Sequence, residues 1–131
     1  MLLAHRLILQ VDPPTLLILN SLRLQVVSGD TCTLIPQKAL ISSYQLTKLN
    51  PTLNCATLSV GQSLCVKDST YDCQPVYKVK GGDSCAAIAT SNKITTDQLI
   101  ANNPNIGSNC IIQPDQMLCV AGATPTSATL I

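Results

Sequence analysis

The sequence predicts an α+β fold made of two tandem βααβ modules, each a two-stranded antiparallel sheet packed on two helices and stabilised by disulfides. Three observations predict it: the chain repeats itself, each copy carries the same order of turn and cap signals, and seven of the 131 residues are cysteine. The repeat weighs most. Sliding the chain by 53 residues lays Val26, Gly29, Asp30, Cys32, Ile35, Ile41, Gln45, Leu46, Asn50 and Pro51 onto Val79, Gly82, Asp83, Cys85, Ile88, Ile94, Gln98, Leu99, Asn103 and Pro104. So many identities without a gap exceed chance. A shift of two more residues aligns Asn54-Cys55 with Asn109-Cys110, and Gln62-Ser63-Leu64-Cys65-Val66 matches Gln116-Met117-Leu118-Cys119-Val120. The copies run over 24–66 and 77–120, with residues 67–76 as the link between them.

Each copy opens on a short β-like run, Leu24–Val27 or Val76–Val79. Gly-Asp then makes a turn, with Asp30 or Asp83 as the candidate N-cap of a first helix. Leu34 and Ile35, or Ala87 and Ile88, are the residues expected to face inward from it. The second helix opens on a capping-box pattern, Ser42-x-x-Gln45 or Thr95-x-x-Gln98. Leu46 and Leu49, or Leu99 and Ile100, supply its buried face. Asn-Pro ends it, because the residue before proline avoids the helical region. A second strand, Ser63–Val66 or Met117–Val120, closes the copy. Copy one departs from copy two in two places: Leu24 stands for Tyr77, and Pro36 for Ala89. If Asp30 is the cap, Pro36 removes a helical bond to the Cys32 carbonyl, at a cost of about 3 kcal/mol, so the first helix is expected to kink or end early. Copy two is therefore expected to be the better folded and better binding one.

Composition excludes several function classes. Charged residues make up 11% and the formal net charge is +1, so nucleic acid binding by counterion release has no basic surface to use. All acidic residues are Asp, and His5 is the only histidine, which leaves a His general base or a His-rich metal site almost nothing to work with. Trp and Phe are absent, so a flat aromatic platform for sugar stacking is not expected. Cys32, Cys55, Cys65, Cys73, Cys85, Cys110 and Cys119 contain no C-x-x-C pair. They read as a disulfide framework of an oxidising compartment rather than a zinc ribbon or redox pair, and their odd number leaves one over.

Residues 1–23 are apolar but broken by Asp12-Pro13-Pro14. They are too interrupted to span a membrane and lack a small-x-small cleavage site. Two readings stand: a degenerate secretion signal, or a start taken from the wrong exon. Residues 121–131 (AGATPTSATLI) read as a flexible Thr/Ser/Pro tail open to O-glycosylation. Asn50-Pro51-Thr52 is no N-glycosylation sequon because of its proline.

The ordered set Val-x-x-Gly-Asp-Thr/Ser-Cys, Ile-x-x-x-Gln-Leu, Asn-Pro and Gln-x-Leu-Cys-Val, occurring twice, resembles the lysin motif (LysM) domain over residues 24–120. The cysteine positions look like the fungal secreted version. In the βααβ fold that the resemblance implies, the end of strand one lies beside the start of strand two. This places Cys32 near Cys55 and Cys85 near Cys110; the other ends of the strands bring Cys73 near Cys119. Cys65 is then unpaired, because the position equivalent to Cys73 is Asn20, and this missing partner favours the wrong-exon reading of the start.

The resemblance implies binding of chitin, a β-1,4-linked chain of N-acetylglucosamine, in a groove between two loops. Carried over, the first site is Gly29, Asp30, Thr31, Asn50, Pro51, Thr52 and Leu53, and the second is Gly82, Asp83, Ser84, Asn103, Pro104, Asn105 and Ile106. An N-acetyl group offers one N–H and one C=O for loop backbone groups to match; Gly permits close approach, and Leu53 or Ile106 would cover the acetyl methyl. Taken singly, Gly-Asp and Asn-Pro are ordinary turn and cap signals. Only their paired recurrence in this frame points to a ligand. The resemblance implies no catalytic residue, no cofactor and no metal. It points to a secreted, non-catalytic chitin-binding protein, with no nucleic acid or membrane partner, that shields hyphal chitin or sequesters its fragments from a host. Two modules would give avidity on a polymer, or form a ligand-bridged dimer. The alternative is the carbohydrate-binding fragment of a larger chitin-active enzyme. A small disulfide-rich inhibitor is a third class, and the repeated loops speak against it.

Overall fold

The computed structural model describes residues 7–10 and 21–122. The expected tail beyond residue 122, and most of the expected signal or mis-started segment, lie outside these residues. Strands β1 (Leu7–Gln10), β2 (Ser21–Gln25) and β3 (Ser63–Lys67) form one antiparallel sheet in that order. Helices α1 (Leu34–Ala39) and α2 (Ser43–Leu49) lie between β2 and β3 in sequence. Copy two repeats the order with β4 (Val76–Lys78), α3 (Cys85–Ser91), α4 (Thr96–Asn102) and β5 (Met117–Cys119), and β4 pairs antiparallel with β5. The strand–helix–helix–strand order is the predicted one. The addition is β1, which pairs with β2 from Leu7 opposite Leu24 to Gln10 opposite Ser21 and makes the first sheet three-stranded.

The two cores are built from equivalent positions. Leu24, Val26, Ile35, Ile41, Leu46, Leu64 and Val66 pack in copy one. Val79, Cys85, Ile88, Leu99, Ile106, Leu118 and Val120 pack in copy two. Leu34 does not face inward as expected: it is 38% exposed, and Ala87 is exposed as well. The buried residues of these short helices are instead Ile35 and Pro36 in copy one, and Cys85, Ile88 and Ala89 in copy two.

Neither Asp30 nor Asp83 caps a helix. Ser84 caps α3, the Ala87 amide donating to its Oγ at 3.1 Å; in copy one the equivalent Thr31 Oγ1 accepts from the Leu34 amide at 3.0 Å, in the turn that leads into α1. The aspartates instead close the turn before the helix, accepting from the Val27 amide at 2.9 Å and the Lys80 amide at 2.8 Å. Pro36 also acts otherwise than expected. It cannot donate to the Cys32 carbonyl, and α1 begins at Leu34 while α3 begins at Cys85, the equivalent of Cys32. The proline delays the start of α1 and leaves its end alone. Both first helices end in the same left-handed cap, with Leu40 at φ 58° and Lys93 at φ 60°. In each, the next amide reaches back over the cap: Ile41 to the Pro36 carbonyl and Ile94 to the Ala89 carbonyl, both at 3.0 Å.

The two second helices share a sequence pattern and use it differently. Thr95 and Gln98 complete a capping box. Ser42 accepts from the Gln45 amide, but the buried Gln45 side chain turns into the link between the copies. It donates to the Val66 carbonyl at 2.8 Å and to Asp72 at 3.1 Å, and accepts from the Cys73 amide at 2.9 Å. Beside it, Tyr71, Cys73 and Cys119 form a third small core with Tyr44 and Leu49. The Tyr44 and Tyr71 rings meet edge-on at 6.0 Å, and Lys48 Nζ lies 5.3 Å from the centre of the Tyr71 ring. The link is thus a packed element, and it joins the copies into one body. This also explains why Met117, Leu118 and Cys119 are all buried. A strand covered on one face alternates; β5 has its own helices on one face and the link with α2 on the other.

Candidate functional site

Each copy presents two loops side by side. The first is the turn at Val27–Asp30 or Lys80–Asp83, closed by an amide-to-carbonyl bond of 3.1 Å in both copies. Gly29 and Gly82 sit at φ 92° and 89°, a conformation that a side chain would strain. The second loop follows the second helix. In copy one the Leu53 amide donates to the Asn50 carbonyl at 2.9 Å; in copy two the Ile106 amide donates to the Asn103 carbonyl at 3.0 Å. A disulfide ties the two loops together in each copy: Cys32–Cys55, with Cα atoms 5.7 Å apart, and Cys85–Cys110, at 6.2 Å. A third, Cys73–Cys119, joins the link to β5. Cys65 is free and buried, and burial above all, then the nearby Asp68 charge, pushes its thiol pKa up.

The geometry divides the residues proposed for binding. Asn50 and Asn103 hold the second loop to the closing strand. Asn103 donates to the Leu99 and Cys119 carbonyls at 2.9 and 2.8 Å and accepts from the Cys119 amide at 2.8 Å. Asn50 makes the same three bonds with Leu46 and Cys65. With every polar atom satisfied, and Asn103 at 0% exposure, these side chains serve the fold. Ile106, 1% exposed, lies in the second core and cannot cover a ligand methyl; Leu53 packs partly against the first core. The carboxylates are likewise turned inward. Asp30 takes a 2.7 Å ion pair from Lys38, with its own side chain 2% exposed. Asp83 accepts instead from the Tyr77 hydroxyl at 2.7 Å. Lys38 thus does for copy one what Tyr77 does for copy two, where Leu24 offers no hydroxyl. Hydrogen bonds from the Lys80 amide first and the Tyr77 hydroxyl second hold the Asp83 carboxyl below the usual carboxylate range, and the same bond raises the Tyr77 phenol.

What remains on the surface is Gly29, Thr31, Pro51 and Thr52 in copy one, and Gly82, Ser84, Pro104 and Asn105 in copy two. These are uncharged groups: peptide edges, hydroxyls, an amide and proline rings. Such a face suits a neutral, hydrogen-bonding ligand with small apolar patches. Among the described residues no cluster of His, Cys and Asp could hold a metal ion, and no helix is long and apolar enough to cross a membrane. One feature had no signal in the repeat. Where the copies meet, α2 and the Cys32–Thr33 turn before α1 face the 105–116 segment across a cleft of about 300 Å³. A junction is not repeated, so comparing the copies cannot reveal it.

The comparisons with known proteins agree with this arrangement. The family model described as LysM domain matches residues 24–67 and 77–121. An endolysin of Bacillus phage B103 is 40% identical over 62% of this chain. The non-secreted LysM effector LysM17 of Penicillium expansum is 36% identical over 61%, and the secreted LysM effector Blys2 of Beauveria bassiana is 33% identical over 80%. The matched parts cover 31%, 12% and 32% of these relatives, so the chain spans about a third of their length or less. Two matches to the family, each over one copy of the repeat and together over most of the chain, show that the chain belongs to the LysM domain family and carries two copies of the domain.

Proposed function

We propose that this chain binds oligomers of N-acetylglucosamine of the chitin type and does so without catalysis. LysM domains are carbohydrate-binding modules for N-acetylglucosamine glycans, which sets the ligand class. The observation that carries the finer reading is the twice-built loop pair: a Gly-Asp turn and an Asn-Pro turn, clamped together by a disulfide and, apart from Lys80 at the start of the copy-two turn, showing uncharged groups. Peptide N–H and C=O edges there match an acetamido group, and Thr52 or Asn105 can reach a sugar hydroxyl. The carboxylates of these loops, Asp30 and Asp83, are engaged by the turn and by Lys38 or Tyr77, so neither is free as an acid or base. Three disulfides and the relatives named as secreted effectors support an extracellular setting. There the protein would shield hyphal chitin or sequester its fragments from a host.

Calorimetric titration of the full oxidised chain with chitin hexamer, against cellohexaose, tests this. The ligands differ in their N-acetyl groups. Saturable heat with chitin hexamer alone is expected; a folded chain that binds neither, or both alike, would sink the reading. A second reading, a glycan-binding part of a larger wall-degrading enzyme, is favoured by one observation: the matched relatives are far longer and include an endolysin. A catalytic domain in the same reading frame would decide for it.

A further inference from the structure

Between the modules lies a cleft of about 300 Å³ that extends from one loop pair towards the other. Its copy-one wall includes Thr33, Leu46 and Thr47; its copy-two wall includes Asn105, Ile111 and Gln113. The two walls are fixed relative to one another. Gln37 Nε2 donates to the Asp115 carbonyl at 3.1 Å, the Met117 amide donates to Ser43 Oγ at 3.4 Å, and Cys73–Cys119 ties the link to β5. The copy-two wall is also stiffened from within, since the Gln113 amide donates to the Gln116 side chain at 3.0 Å and the Gln116 amide to the Gln113 carbonyl at 3.2 Å. A cleft that exists before its ligand arrives loses little ordering entropy on binding.

The chemistry of the walls is specific enough to name a ligand class. No charged side chain lines the cleft. Ile111, 63% exposed, lines the cleft, and Pro114 adds to the apolar wall. The Asn105 and Gln113 side-chain amides and the Thr33 hydroxyl make no hydrogen bond among the described residues, so donors and acceptors stand free beside an apolar surface. The volume lies at the small end of the range for ligand pockets, about 300–1,000 Å³. Its ends fall on both loop pairs: Asn105 follows Pro104 in the second loop of copy two, and Cys32 and Thr33 follow Thr31 in the first loop of copy one.

We propose that this cleft is a composite sugar site. It takes one N-acetylated residue of a glycan that passes from the Asn-Pro turn of copy two to the Gly-Asp turn of copy one. The proposal rests on the chitin-binding reading and adds to it that one long oligomer occupies both modules of a single chain. Ile111 covers a sugar face or an acetyl methyl, and Gln113 with Asn105 pairs with the acetamide or a hydroxyl.

The test is calorimetric titration of the full oxidised chain with chitin trimer and chitin octamer, on the parent and on Ile111→Glu and Gln113→Ala. Both side chains are on the surface, so the variants fold, which circular dichroism checks. The parent is expected to bind one octamer per chain at least about tenfold tighter than trimer, the kind of gain that intramolecular contacts deliver. Ile111→Glu is expected to bring octamer affinity down to the trimer level while trimer binding stays as in the parent. Gln113→Ala is expected to do the same in smaller measure. An Ile111→Glu chain that binds octamer like the parent, or an octamer that joins two chains in sedimentation, would overturn the composite site and leave the loop reading standing. A folded parent that binds neither oligomer would overturn both.

Discussion

Asp83 shows how one residue can be placed well by sequence and assigned the wrong partner. Gly-Asp before a helix reads as an N-cap, yet the carboxylate turns back to the Lys80 amide and the Tyr77 hydroxyl, and Ser84 caps the helix instead. The sequence offered two adjacent residues able to cap, and local pattern does not choose between them; the tightness of the turn does. The charged form of Asp83 is favoured in the folded state, so its folded pKa lies below the unfolded one. Its contribution to stability is then fully present above the unfolded value, about 3.9, and is lost as pH falls through the lowered value. Thermal melts of the parent between pH 7 and pH 2 should show this loss. Asp83→Asn should melt lower at neutral pH and lose less between pH 4 and 2; parallel curves would remove Asp83 from the account. Asn103 and Ile106 carry the same lesson. Nothing in Asn-Pro-Asn-Ile tells which side chains enter the core, because that depends on where β5 passes beneath the loop.

At the scale of the element, order and cores were legible because equivalent positions repeat: Val26 with Val79, Ile35 with Ile88, Leu46 with Leu99. What was not legible comes from pieces that do not repeat, namely β1 and the buried turn of Gln45 into the link. The first helices give a prediction of their own. Leu40 holds a left-handed cap at φ 58° while its side chain is 63% exposed, so it bears backbone strain with little burial in return. Left-handed backbone costs an ordinary residue roughly 1–2 kcal/mol, of which glycine gives back about 0.5–1 through its unfolded-state freedom. Leu40→Gly should therefore raise the free energy of unfolding by about 0.5–1 kcal/mol in urea melts. A loss of stability would mean that the freedom glycine adds to the unfolded chain outweighs the strain it relieves.

For the whole molecule, the governing fact is that the copies share a core. Sequence alone reads residues 67–76 as a linker, since apart from Cys73 the ten-residue stretch between the repeats offers no sign of packing. The structure makes it a third core, with Tyr71, Cys73 and Cys119 buried together. Removing that disulfide tests how far the copies depend on one another. Cys73→Ser combined with Cys119→Ser should cost about 3–4 kcal/mol by loop entropy. It should also split a single calorimetric transition into two, as the copies melt apart. A single transition, merely lowered, would show that Gln45 and Tyr71 suffice to keep them one cooperative unit.

The junction has a direction. Copy one offers α2 and copy two answers with β5, so unlike elements meet, and the contact is heterologous rather than self-complementary. Contacts of that kind, when repeated, close into a ring if the rotation allows and otherwise propagate along a screw. The face on α4 that corresponds to the α2 docking face is covered by the chain itself, with Gln98 donating to the Gly122 carbonyl and Asn102 to the Ala121 carbonyl, both at 2.8 Å. On α4, then, the chain's own residues 121–122 lie where α2 has the link and the other copy.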